Sequence, residues 1–239
     1  MSTASALRPR RALLCLLAAL RLGAQEEAWE QLRDRAARAG QEGRFREAEA
    51  LLRAQLERAQ SREQRDHTAR DLAEFYQLQG RSGEAERFWR WAVELREAAE
   101  GPDSPEVAGP LLELGRNLLV QAHAPDAAGA VELALAVLEK AHGAEALETV
   151  PALALLAQVH QARDDWAAAE VLLLRAVRIR EARQGPEAVE LATELTGLGK
   201  FYQQRNRWMV AEPQLFPRPD HRTPSAFSRS LSRRSSTRG

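Results

Sequence analysis

Small and large apolar residues recur along this chain at a fixed interval. Ala85, Ala127, Ala169 and Ala211 follow one another 42 residues apart, and Leu72, Leu114, Leu156 and Leu198 keep the same spacing. Gly101, Gly143 and Gly185 form a third series, and Glu106, Glu148 and Glu190 a fourth. Several series in one register mark internal repetition, in which each copy is one supersecondary unit that buries its apolar face against the next. An earlier copy puts Ala48 in the alanine series, 37 residues before Ala85, so its linker is five residues shorter.

Each series has a physical role. Leu72 and Tyr76 are four apart and share one face of a first helix. Ala73 is small where a paired helix must come close. Gly80-Arg81-Ser82 breaks that helix, and Ala85, Trp89 and Ala92 then line one face of a second. The fourth copy repeats the scheme with Leu156, Ala157 and His160, then Ala169, Leu173 and Ala176, and Asp164-Asp165 supplies a helix cap in its turn. The pattern predicts helices over 26–41, 45–60, 65–79, 82–99, 105–121, 124–141, 146–162, 166–183 and 187–204. Glycines and prolines in the linkers stop the second helices.

Composition agrees with helix. Leu and Ala carry most of the 44% hydrophobic content, aromatics are 5%, and neither main apolar residue is β-branched. Formal net charge is zero, with 34 basic and 34 acidic side chains, but the charges are segregated. Arg8, Arg10, Arg11 and Arg21 open the chain without an acid, and six arginines against Asp220 alone follow Phe216. The stretch between is left with a net charge of −9. An acidic body argues against nucleic acid as a partner.

The two ends read differently from the repeats. Arginines followed by Ala12-Leu13-Leu14-Cys15-Leu16-Leu17-Ala18-Ala19-Leu20 fit a targeting segment over 1–24, cut ahead of Gln25. Its apolar run is too short to span a membrane in the mature chain. Export to a periplasm or the outside is the first expectation and mitochondrial import the alternative. After Ala211, Pro213, Pro217 and Pro219 fall where a second helix should run, and each would cost a helix interior about 3 kcal/mol. Residues 214–239 read as a disordered basic tail rich in Ser, Arg and Pro. Such a tail is either a ligand for an acidic surface or an end without an evolved role.

Candidate chemistry is sparse. Cys15 is the only cysteine, and it lies within the targeting segment. His67, His123, His142, His160 and His221 show no paired i, i+4 metal spacing. His160 falls in the position of Tyr76 and Tyr202, as a packed core histidine would. Gly80-Arg81-Ser82-Gly83 lacks the Lys-Ser/Thr of a phosphate loop, and no nucleophile motif appears. The expectation is no enzyme, no metal and no cofactor.

The run from Gln79-Gly80-Arg81 to Glu84-Ala85-Glu86, with Leu95-Arg96-Glu97 and Gly101-Pro102-Asp103-Ser104-Pro105-Glu106, resembles the tetratricopeptide repeat, in the longer kinesin-light-chain form. Arg180-Glu181 and Gly185-Pro186 echo it. The likeness runs from about Glu26 to Pro213. It weakens in the first copy, where Arg35 replaces the leucine, and in the third, where Ala122-His123-Ala124-Pro125 replaces the glycine turn. It implies an all-α, right-handed α-solenoid of antiparallel helix pairs over 25–213, with about four full repeats and a truncated fifth. It also implies a protein- or peptide-binding scaffold whose concave face is lined by the first helices. By that resemblance the groove residues are His67, Arg70, Glu74, Gln77, Arg116, Gln158, Gln161, Lys200 and Gln203. Three cations against one acid predict an extended peptide partner with at least one acidic residue. The alternative is an assembly module stacking end to end in a larger complex.

Overall fold

The computed structural model describes residues 28–204, and every regular element among them is helical. In order they are α1 (28–41), α2 (Phe45–Arg58), α3 (Arg62–Leu78), α4 (Ser82–Glu100), α5 (Ala108–Val120), α6 (Ala124–His142), α7 (Val150–Ala162), α8 (Trp166–Gln184) and α9 (Leu191–Gln204). One turn of 3-10 helix leads into α5 at Pro105–Val107 and into α7 at Leu147–Thr149. The expected targeting segment over 1–24, the expected tail over 214–239 and Ala211 lie outside the described residues. The chain falls into two compact units, Met1–Ala169 and Glu170–Gly239.

In the first unit α3 pairs with α4 and α5 with α6, and successive pairs meet through α2–α3, α4–α5 and α6–α7. This is the all-α solenoid packing that the repeat series predict. Leu72, Leu114, Leu156 and Leu198 are buried, as are Ala48, Ala85, Ala127 and Ala169. The small position after the leucine is a true point of contact. A Cβ added at Gly115 on α5 would lie 2.4 Å from Val131 Cγ2 on α6.

The tight turns between paired helices repeat one backbone solution. Gly43, Gly80, Ala122 and Asp164 have φ of 75°, 70°, 60° and 59°. The next N–H in each case reaches back to a helix carbonyl: Arg44 to Ala39 at 2.8 Å, Arg81 to Tyr76 at 2.8 Å, His123 to Leu118 at 2.9 Å and Asp165 to His160 at 2.9 Å. These are the bonds of a Schellman stop, which needs a left-handed residue. Ala122 therefore keeps the turn that glycine makes elsewhere. Asp165 caps α8, accepting from the Ala168 N–H at 3.2 Å.

Helix starts depart from expectation at four places. α3 begins at Arg62, earlier than 65, because Ser61 and Gln64 form a reciprocal capping box. α5 and α7 begin only after their 3-10 turns, and α9 begins at Leu191 rather than 187. No helix among the described residues is long and apolar enough to cross a membrane.

Candidate binding surface

Glu74 on α3, Arg116 on α5 and Gln158 on α7 occupy one repeat position, 42 residues apart, and all three are exposed. They stand on first helices that approach one another: Arg33 of α1 lies 3.2 Å from Asp71 of α3, and α5 packs against α7. Gln161 is half-buried on α7. Lys200 and Gln203 are exposed on α9, in the second unit. The structure thus assembles Glu74, Arg116 and Gln158 on a first-helix wall.

The other expected groove residues are engaged within the fold. Arg70 lies 3.1 Å from Asp66 Oδ2, and its Nη2 is 3.0 Å from His67 Nδ1. Asp66 is almost wholly buried and also meets Arg96 of α4 at 2.7 Å. Arg70 accordingly serves a buried carboxylate and is not a free cation for a ligand. Gln77 accepts a hydrogen bond from Trp89 Nε1 at 3.0 Å, so it faces the paired helix instead of the wall. Arg116 stays exposed, with Glu113 Oε1 at 3.3 Å.

The wall is consequently mixed in charge, and the expectation of a basic strip does not hold over α3 and α5. Burial pushes the Asp71 carboxyl above its ordinary range, against the pull of Arg33, His67 and Arg70. Burial also raises Glu74, helped by the negative charges of Asp71 and Glu113. A signal for this was present in the chain. Asp66 stands where Ala108 and Val150 stand in the next two copies, a polar residue in an apolar position that demands a partner.

A second polar feature ties repeats together. Glu49 on α2 accepts from Tyr76 Oη at 2.9 Å and from Arg81 Nη1 at 2.8 Å, and the Arg81 guanidinium lies 4.5 Å from the Tyr76 ring centre. Burial alone would raise Glu49, but the bonds from Tyr76 and Arg81 and the charges of Arg81 and Arg53 outweigh it and hold the carboxyl below its usual value. Glu86, in the same position 37 residues on, accepts instead from Gln121 Nε2 at 2.9 Å. Within the second unit Glu170 accepts from Tyr202 Oη at 2.7 Å. The third copy has Ala128 in that position, and His160 turns to Asp165 of its own turn, with Nδ1 to Oδ2 at 3.2 Å.

The tetratricopeptide-repeat family pattern matches residues 67–106 and 152–187 of this chain. Its fold is that of kinesin-light-chain-like repeat proteins. BtubC (BKLC) from P. vanneervenii is similar at 22% identity and a TM-score of 0.69, over 99% of this chain and 92% of that one. A kinesin-light-chain-type protein of Podosopora anserina with nearly identical TPR-like repeats is 20% identical, with a TM-score of 0.65, over 87% of this chain and 97% of that one. The apo form of RapI is 12% identical, with a TM-score of 0.61, over 78% of this chain and 53% of that one. No curated protein sequence matches this chain significantly. Folds of this type generally serve as protein-interaction scaffolds.

Proposed function

We propose that this protein is a non-enzymatic scaffold that holds an extended peptide or protein segment along its first-helix wall. The observation that carries the reading is the contrast between repeat positions. Leu72, Leu114, Leu156 and Leu198 and the alanines Ala48, Ala85, Ala127 and Ala169 are buried, whereas Glu74, Arg116 and Gln158 at one repeat position are exposed and change chemistry from copy to copy. A position released from packing and varied along the stack is suited to reading a ligand residue by residue. Glu74 and Arg116 call for a ligand with charges of both signs, an acid set against Arg116 and a base against Glu74.

The test is affinity capture from the native host with the wild type and with the triple variant Glu74→Lys, Arg116→Glu, Gln158→Glu. Loss of the same partner at an unchanged melting temperature is the expected result, because exposed charges contribute little to stability. Full retention of that partner would place the binding surface elsewhere.

A further inference from the structure

On the other side of the first unit, two grooves run between successive second helices, and they use the same repeat positions. The groove between α2 and α4 is lined by Arg87, Phe88 and Trp91; the groove between α4 and α6 has Gly129, Ala130 and Leu133 at the corresponding places, 42 residues on. Leu56 and Tyr76 in the first answer to Val93 and Leu118 in the second. Both are sizeable, about 510 Å³ and 430 Å³. Their chemistry differs. Aromatic rings line the first, with Tyr76 and Phe88 stacked at 5.6 Å between centres. The second has an aliphatic floor, Leu111, Leu114 and Leu118, which are themselves buried in the core, and Leu133, 44% exposed at its mouth, is the apolar side chain it offers to solvent.

Charge separates the grooves further. Around the first, Arg53 and Arg87 balance Glu57 and Glu84. Around the second, Glu94, Glu97 and Asp126 face Arg90 alone, and Arg90 is already paired with Glu86 at 2.9 Å. No ion pair among the described residues engages Glu94, Glu97 or Asp126. Along α4 the lining runs from Arg90 to Glu97, two helical turns or about 10 Å.

We infer that the groove between α4 and α6 docks a basic amphipathic helix of a partner protein. Over two turns such a helix presents apolar side chains at i, i+3, i+4 and i+7, a stripe as long as the groove, which meets the exposed Leu133 at its mouth. Lysines or arginines flanking that stripe meet Glu94, Glu97 and Asp126, three carboxylates set against Arg90, which Glu86 already pairs. Because its acidic rim lies on the second helices α4 and α6, the inference does not rest on the reading of the first-helix wall.

The experiment is fluorescence anisotropy of the full chain with a synthetic helix carrying leucines at i, i+3, i+4 and i+7 and lysines on both flanks. A control peptide has glutamate in place of each lysine. The lysine peptide should bind at least about tenfold more tightly, and its affinity should fall as salt rises. Two variants locate the site. Gly129→Arg with Ala130→Phe transplants the residues of the preceding groove; a Cβ at Gly129 meets nothing within 4 Å, so the fold has room for it. Glu94→Lys with Glu97→Lys reverses the rim. Each should weaken the lysine peptide at least about tenfold while the circular dichroism spectrum stays that of the wild type. Equal binding of both peptides, no binding, or binding indifferent to both variants overturns the inference. So does a concentration-dependent dimer that Gly129→Arg with Ala130→Phe dissolves, since the occupant would then be a second copy of this chain.

Discussion

The second helix pair, α3 with α4, and the third, α5 with α6, share their small positions, a buried leucine and their turn, and differ in what fills the rest of the interface. In the second pair Tyr76, Phe88, Trp89 and Trp91 fill the space around Ala73 and Ala85, and Asp66 is buried between Arg70 and Arg96. The third is aliphatic, with Leu111, Leu114, Leu118 and Val131 around Gly115 and Ala127. The difference separates two kinds of constraint. Backbone approach is set by a few residues that cannot grow, because close-packed helices leave no space for another methyl group. The rest of each interface can be aromatic, aliphatic or ionic as long as volume and hydrogen bonding are satisfied.

Breaking the aromatic pair should have the largest effect. Trp89 is 2% exposed, and Trp89→Ala should cost about 3–5 kcal/mol. Part of that is the hydrogen bond to Gln77, whose oxygen would be left without its donor. Val131 holds the same position in α6, and Val131→Ala should cost about half as much, since fewer methyl groups leave the core. Chemical denaturation of both variants checks the ratio; equal losses would mean that the pairs are not equivalent.

A smaller effect is expected at the joint between α2 and α3, and it should depend on pH. Tyr76→Phe removes the bonds to Glu49 and Arg53 and should cost about 1–3 kcal/mol at neutral pH. Glu49 is held below its ordinary value in the folded state, so its contribution is present above the unfolded carboxylate value. That contribution is lost as pH falls through the lower folded value. The gap between wild type and variant should therefore narrow in acid. A gap that widened as pH fell would contradict the role given to Glu49.

The smallest effect is expected in the turns, and in one case its sign is reversed. Ala122 holds φ of 60° where Gly80 holds 70°. Ala122→Gly should stabilise by about 1 kcal/mol, because a Cβ is unfavourable in the left-handed region. Gly80→Ala should destabilise by a similar amount. Melting curves of the two single variants would settle the comparison.

Much of this was legible in the chain before any coordinates. The leucine, alanine and glycine series gave the helix pairs and their order, because a repeat shows each packing requirement several times over. Turn chemistry was partly readable: Asp165 was expected to cap, and it does. The wall was read less well. Arg70 and Gln77 lie at positions that point to a ligand by count alone, yet Asp66 and Trp89 engage them. A spacing rule assigns a residue to a face, but a long polar side chain goes to the buried group that most needs it. Asp66, Glu49 and Trp89 each needed a partner, and the pairings run between helices, where periodicity along one helix carries no information. The same reason hid the acid-rimmed groove, whose lining comes from three helices.

The pattern of contacts in the first unit bears on how damage spreads. From α2 to α7 the well-packed pairs are sequence neighbours, apart from α5 with α7. Such an array behaves as a line of coupled links, each with its own stability and a bond to the next, much like spins in a one-dimensional magnet. A lesion in one link lowers the protection of its neighbours and fades beyond them, so the protein can lose part of its length and keep the remainder folded. Variation at one repeat is thereby insulated from the others, which lets neighbouring copies as unlike as α3–α4 and α5–α6 persist in one chain.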